Sequence, residues 1–501
     1  MRTELLEKEV LAMYDVRGIQ AYIFKSNKAK EIIGASVIVA NIITDGLQKY
    51  IEQMPTEEQK YYLTDWRNDS PTAFMDNADI IMQILFVGGG NAYAVFRTGE
   101  ICSRVNRFLA KYLMDATYSL NLAVAVVEKT DSYAADYEAI NTEMRNIKAY
   151  MPSTQPVGAL PFMEADSITG YPVSYRQGDT ALCTEARLKR DAFPQNEDEK
   201  IFDKMVTRKG SDSLLAVCHI DGNSLGRRII AVMSGVTEYP DAVRKMRALS
   251  LSISSAYETA FREMTSYMDQ ISDKMNNSSK KLYRKIIVAG DDITFVCNAG
   301  LAVPAVKKFI DRLGGESTEH YSACGGIAFF SSHFPFSDAY QVAEACCESA
   351  KERAKKNKDS EGRAGNYMDF QFCTNISAAH LDTYRDKNYR SYSGKYIARP
   401  YYIEKDDDSE EIRKNGRKYD FANFATAIEY LKNMPRSKAK QLRGAITSGE
   451  NEIHQMCSFL KSRGYDLEAA GIDWAVYYDA LELLDLHVPG IYEEGKDGHR
   501  V

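Results

Sequence analysis

Residues 286–297 read Ile-Ile-Val-Ala-Gly-Asp-Asp-Ile-Thr-Phe-Val-Cys. Apolar runs flank a Gly-Asp-Asp tip, which predicts two core strands joined by a tight turn at Gly290. Asp291 and Asp292 then stand side by side at the end of a buried hairpin. Folding gains nothing from two like charges placed there. A divalent cation would neutralise them, and a polyphosphate would explain the cation. A plain Gly-Asp turn accounts for the same letters without any chemistry.

A matching half-site lies upstream. Residues 214–226 read Leu-Leu-Ala-Val-Cys-His-Ile-Asp-Gly-Asn-Ser-Leu-Gly. An apolar strand ends in Asp221, the turn Gly222-Asn223-Ser224 follows, and a helix is expected from about Leu225. A carboxylate at a strand end projects from the sheet edge, and the amides opening the next helix can face a phosphate. Asp-Gly-Asn is also an ordinary turn sequence. Taken together, the two acidic strand ends fit one strand–helix–hairpin unit. Asp221, Asp291 and Asp292 are therefore a candidate three-carboxylate set for two Mg²⁺ (or Mn²⁺) ions. Such a pair activates an attacking hydroxyl and stabilises departing pyrophosphate.

These residues carry a resemblance. Asp221-Gly-Asn-Ser-Leu-Gly226 followed by Ala289-Gly-Asp-Asp292 resembles the Palm domain of the large subunit of type III CRISPR effector complexes. That CRISPR polymerase, or cyclic-oligoadenylate synthase, family is akin to nucleotidyl cyclases and to GGDEF-type diguanylate cyclases. Its turn is usually Gly-Gly-Asp-Asp; here Ala289 replaces the first glycine. The resemblance implies a ferredoxin-like sheet that binds two ATP molecules and two metals and joins a 3′-OH to an α-phosphate. Asp221, Asp291 and Asp292 would be the catalytic metal ligands, with Gly222, Asn223, Ser224 and Gly290 around the nucleotide.

The segment after the hairpin agrees. Ser322-Ala-Cys-Gly-Gly-Ile-Ala-Phe-Phe330 reads as another core strand, and His333-Phe-Pro-Phe-Ser-Asp338 as a turn before a helix. The family's lysine after a small residue holds the triphosphate, and Lys351 after Ala350 matches it. Lys355, Lys356 and Lys358 read instead as a solvated helix end, favoured by the helix dipole.

The N-terminal part repeats the pattern. Met13-Tyr-Asp-Val-Arg-Gly-Ile-Gln20 resembles the opening of the family's first Palm, and Ile84-Leu-Phe-Val-Gly-Gly-Gly-Asn-Ala-Tyr-Ala-Val-Phe96 repeats the apolar hairpin. Asp15 precedes Gly88 by 73 residues and Asp221 precedes Ala289 by 68, a spacing that suggests duplication. The first tip, Gly88-Gly-Gly-Asn91, has no carboxylate, so this half reads as noncatalytic and Asp15 as structural.

Bulk properties set limits. With 501 residues the chain is long enough for about three domains. Its 45% hydrophobic and 27% charged content is ordinary for a globular enzyme. No run approaches about 20 uninterrupted apolar residues, so no membrane span is expected, and the N-terminus lacks a signal-peptide core. A cytoplasmic setting is expected. The nine cysteines are odd in number and include no C-x-x-C pair, which argues against zinc and against a disulfide framework. Relatives often carry a zinc knuckle between the Palms, whereas Gly158–Pro172 has no cysteine; no His-Asp dipeptide of the fused nuclease occurs either. A net charge of −7 counts against wrapping a long RNA as the main activity.

The expected organisation is α/β (α+β): 1–150, a first, degenerate Palm-like domain; 151–210, a connector; 211–375, a second, catalytic Palm; 376–501, an α-helical C-terminal domain. The run Arg187-Leu-Lys-Arg190 reads as a solvated helix face or an interdomain contact, and Glu404–Glu411 as an exposed acidic loop. The resemblance covers roughly residues 10–370. It implies a nucleotidyltransferase that makes a cyclic nucleotide or cyclic oligonucleotide from ATP or another NTP, in CRISPR-type or related antiviral defence. A rival reading is a noncatalytic nucleotide- or RNA-binding subunit of a CRISPR-like complex. A homodimer is compatible with either.

Overall fold

The computed structural model describes residues 3–88, 91–151, 156–198, 200–206, 213–276, 281–314, 321–332, 334–358, 362–374, 380–391, 394–403 and 409–486. Gly89 and Gly90 of the first tip, His333, residues 277–280 and residues 404–408 of the acidic run lie outside the described residues. The chain divides into two compact units. One gathers residues 1–201, 225–257 and 286–291; the other gathers 202–224, 258–285 and 292–501.

In the first unit, strands Met82–Gly88, Asn91–Phe96, Val10–Arg17 and Asn121–Glu128 lie side by side in that order, each antiparallel to the next. Tyr62–Leu63 extends the edge in parallel. Numbered along the chain, the four long strands run 2-3-1-4 across the sheet, the ferredoxin-like order. The central strand opens with five consecutive buried residues, Val10 to Tyr14. Such a run reads as a strand covered on both faces. Among the helices flanking the sheet, Gly99–Thr117 joins the third strand to the fourth, and Tyr133–Tyr150 follows the fourth.

The second sheet repeats the order. Strands Tyr283–Ala289, Asp292–Asn298, Leu214–Gly222 and Ala323–Ser331 are again 2-3-1-4 along the chain. Tyr367–Phe372 adds in parallel beyond them, and Tyr401–Tyr402 closes the edge. Two glycines set how closely helices approach. A Cβ at Gly326 would lie 2.0 Å from the Ala343 carbonyl oxygen and 2.3 Å from the Cys347 amide nitrogen. A Cβ at Gly325 would lie 2.5 Å from Val306 Cγ1. The Gly-Gly pair therefore lets helices Phe336–Lys356 and Ala299–Leu313 press onto opposite faces of one strand. Helices Phe421–Lys432, Arg436–Ser448, Glu450–Lys461 and Trp474–Leu483 make up a C-terminal helical region.

Two charged stretches hold buried charges. Lys189, in the run read as a solvated helix face or an interdomain contact, is 1% exposed. Its ammonium lies 2.6 Å from Glu185, four residues back, and donates to the Tyr22 carbonyl at 2.7 Å. Pairing within one helical turn makes the burial tolerable. Glu411, the last residue of the acidic run, is likewise 1% exposed. Its carboxylate accepts from Arg353, Asn357, Tyr367 and Asn415.

All nine cysteines are free and buried. Among the described residues, no single helix is long and apolar enough to cross a membrane. The helix pair Ala29–Val39 and Ile42–Ile51 passes only by combined length, and it is bent by 56°.

Candidate active site

Asp221 ends the first strand of the second sheet and Asp292 begins the third. On the antiparallel ladder His219 sits opposite Thr294 and Ile220 opposite Ile293, so the next step brings Asp221 level with Asp292. Side chains alternate along strands, which places His219, Asp221, Asp292 and Thr294 on one face. The helix Phe336–Lys356 packs over that sheet. Its Tyr340, Glu344, Cys347 and Lys351 recur at spacings of four, three and four and so share one side. The Asp221 and Asp292 side chains are 35% and 31% exposed, so a small ion can reach both from solvent.

Charge is arranged around this pair. The Lys351 ammonium is ion-paired with Asp221. Burial would lower the lysine's pKa, but Asp221 outweighs it and the net shift is upward. Burial pulls His219 below the ordinary histidine range, opposed by Asp221 and Glu344. Desolvation raises the Glu344 carboxyl; His219 opposes this, while Asp292 and Asp221 add to it. The face thus holds three carboxylates under one lysine and a histidine that is neutral at neutral pH.

The turn after Asp221 is rigid. Gly222 pairs across to Ala323. The Asn223 amide nitrogen donates to the Ser322 carbonyl at 2.8 Å, and its side chain donates to the Gly365 carbonyl at 3.0 Å. Ser224 takes a left-handed φ of 57°, a conformation that non-glycine residues adopt only when the surroundings enforce it. Gly290 at the hairpin tip has φ 64°, where a tight turn calls for glycine.

Asp291 belongs to the first unit. With Gly290 it lines a cavity of about 290 Å³, walled by Met13, Asn91, Tyr93, Tyr137 and Asn141 among others. Phe86 stacks on Tyr93 with ring centroids 4.6 Å apart, which gives the cavity an aromatic floor. Of the predicted site residues, the second unit thus brings Asp221, Asp292 and Lys351 together, while Asp291 stands in the wall of the first unit's cavity.

The first unit carries a counterpart of each element. Asp15 lies opposite Asn91, where the second sheet has Asp221 level with Asp292. Lys148 is the sixteenth residue of its helix and pairs with Asp15 at 2.7 Å; Lys351 is the sixteenth of its own. Tyr137 and Tyr340 are each fifth, Asn141 and Glu344 each ninth. Sequence reading missed His219, Tyr340, Glu344 and Lys148. The signal for Tyr340 and Glu344 was present as helical spacing back from Lys351. For His219 it was the two-residue step back from Asp221.

Among the described residues, no three His, Cys, Asp or Glu side chains gather into a metal cage. The two hard carboxylates at adjacent strand ends suit Mg²⁺ nonetheless. It usually takes one or two protein carboxylates and completes its shell with phosphate oxygens and water.

No protein-family model matches the chain, and no curated protein matches it. Among solved structures, the apo Csm1–Csm4 cassette matches with a TM-score of 0.51 and 12% identity, over 97% of this chain and 70% of that one. Csm1 in T. onnurineus matches at 0.51 and 12%, over 96% and 69%. The Csm1–Csm4 cassette in complex with cA4 overlaps less well, at 0.47 and 11%, over 96% and 70%. The chain therefore has the fold of Csm1.

Proposed function

We propose that this protein is a metal-dependent nucleotidyltransferase that joins ATP, or another NTP, into a cyclic nucleotide or cyclic oligonucleotide, working in the cytoplasm. The observation that carries the reading is the pair Asp221 and Asp292 at the ends of two adjacent inner strands of a ferredoxin-like sheet, with Lys351 reaching down from the covering helix. Asp221 and Asp292 would hold Mg²⁺ or Mn²⁺. The bound metal supplies activation of the attacking 3′-OH and charge stabilisation for the departing pyrophosphate. Lys351 exchanges its partner Asp221 for the triphosphate and offsets the negative charge that collects there. The left-handed turn at Gly290 presents the hairpin backbone without a side chain. The cavity beside Asp291, aromatic and neutral apart from that carboxylate, suits the base and sugar of a second nucleotide.

The test is product analysis by mass spectrometry. Purified protein is incubated with each NTP and Mg²⁺ or Mn²⁺, beside the double variant Asp291→Ala/Asp292→Ala. A cyclic product made only by the intact protein supports the proposal and names its substrate. Equal product from the double variant refutes the site assignment.

A second reading is a nucleotide- or RNA-binding subunit of a CRISPR-like complex with a Csm4-like partner. The observation in its favour is Asn91, an amide at the place in the first sheet where the second has Asp292. Binding of RNA in a gel shift at moderate salt, with no product from any NTP, would favour it.

A further inference from the structure

His219 is a buried imidazole on the face that carries the carboxylates, with a side chain only 6% exposed. Its Nδ1 lies 3.1 Å from Thr294 Oγ1 and 3.5 Å from Asp292 Oδ1. Its ring stands edge-on to Tyr340, with centroids 5.8 Å apart. A ring held among a hydroxyl, a carboxylate and an aromatic edge has little freedom to turn, and it restrains what it touches. Asp292 Oδ1 is itself buried, yet the side chain as a whole is 31% exposed. The carboxylate therefore has an inner edge against His219 and an outer edge toward solvent.

The first unit provides the comparison. Met13 lies opposite Tyr93 and Asp15 opposite Asn91 on the equivalent ladder. Where the second unit has His219, Thr294 and Asp292, the first has Met13, Tyr93 and Asn91. The carboxylate, the histidine and the threonine occur together in the second unit, and none of them stands at the equivalent position in the first.

We infer that His219 is a positioning residue for Asp292. From the opposite strand its Nδ1, oriented by the Thr294 hydroxyl at 3.1 Å, stands 3.5 Å from the inner carboxylate oxygen and keeps that oxygen turned inward, so that the outer one faces the cation. This inference rests on the metal reading of Asp292 given above. Groups that orient a ligating carboxylate typically change metal affinity about 10–100-fold when removed.

The experiment titrates Mn²⁺ by electron paramagnetic resonance in the presence of a saturating non-hydrolysable ATP analogue. The proteins are wild type, Asp292→Asn, His219→Phe and His219→Asn, with melting curves to verify folding. The phenyl ring keeps the volume and removes the nitrogen, whereas the asparagine amide replaces Nδ1. His219→Phe is expected to weaken Mn²⁺ binding about 10–100-fold, and His219→Asn to stay within about threefold of wild type. Wild-type affinity in His219→Phe, with binding lost in Asp292→Asn, overturns the inference and leaves the metal site standing. Unchanged binding in Asp292→Asn overturns the metal reading and this inference with it. Should His219→Phe fail to fold, Thr294→Val removes the hydroxyl that orients the His219 ring; a loss of Mn²⁺ affinity there supports the inference, and full affinity overturns it.

Discussion

Lys351 pairs with Asp221 in the second unit just as Lys148 pairs with Asp15 in the first, each lysine the sixteenth residue of the helix that follows the fourth strand. The pair is present in the first unit although the neighbour of Asp15 there is Asn91, not a carboxylate. Closing a strand end with a lysine thus has a packing value independent of chemistry. In the second unit the same lysine pairs with Asp221, which lies level with Asp292, and the proposed role gives it a triphosphate to bind. The two substitutions should therefore diverge. Both Lys148→Met and Lys351→Met should lower stability by no more than about 1 kcal/mol, because partly exposed ion pairs contribute little. Only Lys351→Met should raise the nucleotide KM, by tenfold or more. Steady-state kinetics and melting curves on both variants check this, and an equal effect on KM would count against a phosphate role for Lys351.

The first unit's cavity offers a separate handle. Ser254 lies on its wall, on the long helix Tyr239–Asn276. Ser254→Trp should fill much of the 290 Å³ space. If the cavity holds a second nucleotide, cyclic product should fall at least tenfold. Binding of an ATP analogue should drop from two equivalents to one in isothermal calorimetry. Two equivalents retained in the variant would show that the second nucleotide binds elsewhere.

The approach of helix to sheet at Gly326 can be weighed directly. Any Cβ there meets backbone atoms of Ala343 and Cys347 at 2.0–2.3 Å, and backbone cannot rotate away as a side chain can. Gly326→Ala should destabilise the fold by about 2–4 kcal/mol, in the range of severe overpacking. Gly226, in helix Leu225–Met233, has nothing within 4 Å of its would-be Cβ. Gly226→Ala should be neutral or stabilising by about 0.5–1 kcal/mol through the entropy of the unfolded chain. The chemical denaturation midpoint should fall for Gly326→Ala and hold or rise for Gly226→Ala.

Much of this was legible in the letters. The apolar runs ending in Asp221 and flanking Gly290-Asp291-Asp292 gave the strands, the hairpin and the duplication, because period and turn chemistry are local. Ser322–Phe330 read as a core strand, but its Gly325-Gly326 pair did not disclose that two helices close on it, which only tertiary packing decides. His219 passed as one more residue of an apolar strand; its meaning comes from Thr294, 75 positions away. Glu411 reads as exposed because charge normally is, and the run holding Lys189 reads equally as a solvated face or an interdomain contact. Their partners decide the matter, and Arg353, which holds Glu411, lies 58 positions from it. A pattern read along the chain sees periodicity but not the cross-chain pairing that makes a buried charge tolerable.

Glu411 yields the last prediction, one of pH. Its carboxylate is 1% exposed and accepts from Arg353 at 2.7 and 3.1 Å, and from Asn357, Tyr367 and Asn415 at 2.7 Å each. Desolvation alone would raise its pKa, but the Arg353 pairing and the hydrogen bonds outweigh it and hold the carboxyl below the ordinary glutamate range. A depressed folded-state pKa means that the unfolded chain binds the proton more readily. The stabilisation is therefore fully present above the unfolded value of about 4.3 and is lost as pH falls through the folded one. Glu411→Gln leaves Arg353 without its counter-charge in a site that excludes water, so at neutral pH it should cost about 3–5 kcal/mol. The gap between wild type and variant should shrink steadily below about pH 4.5, because acid removes from the wild type the charge that the variant already lacks. Melting temperatures of both proteins from pH 3 to 8 would show that convergence. A gap that stayed constant or widened in acid would mean that Glu411 is held by packing, not by its charge.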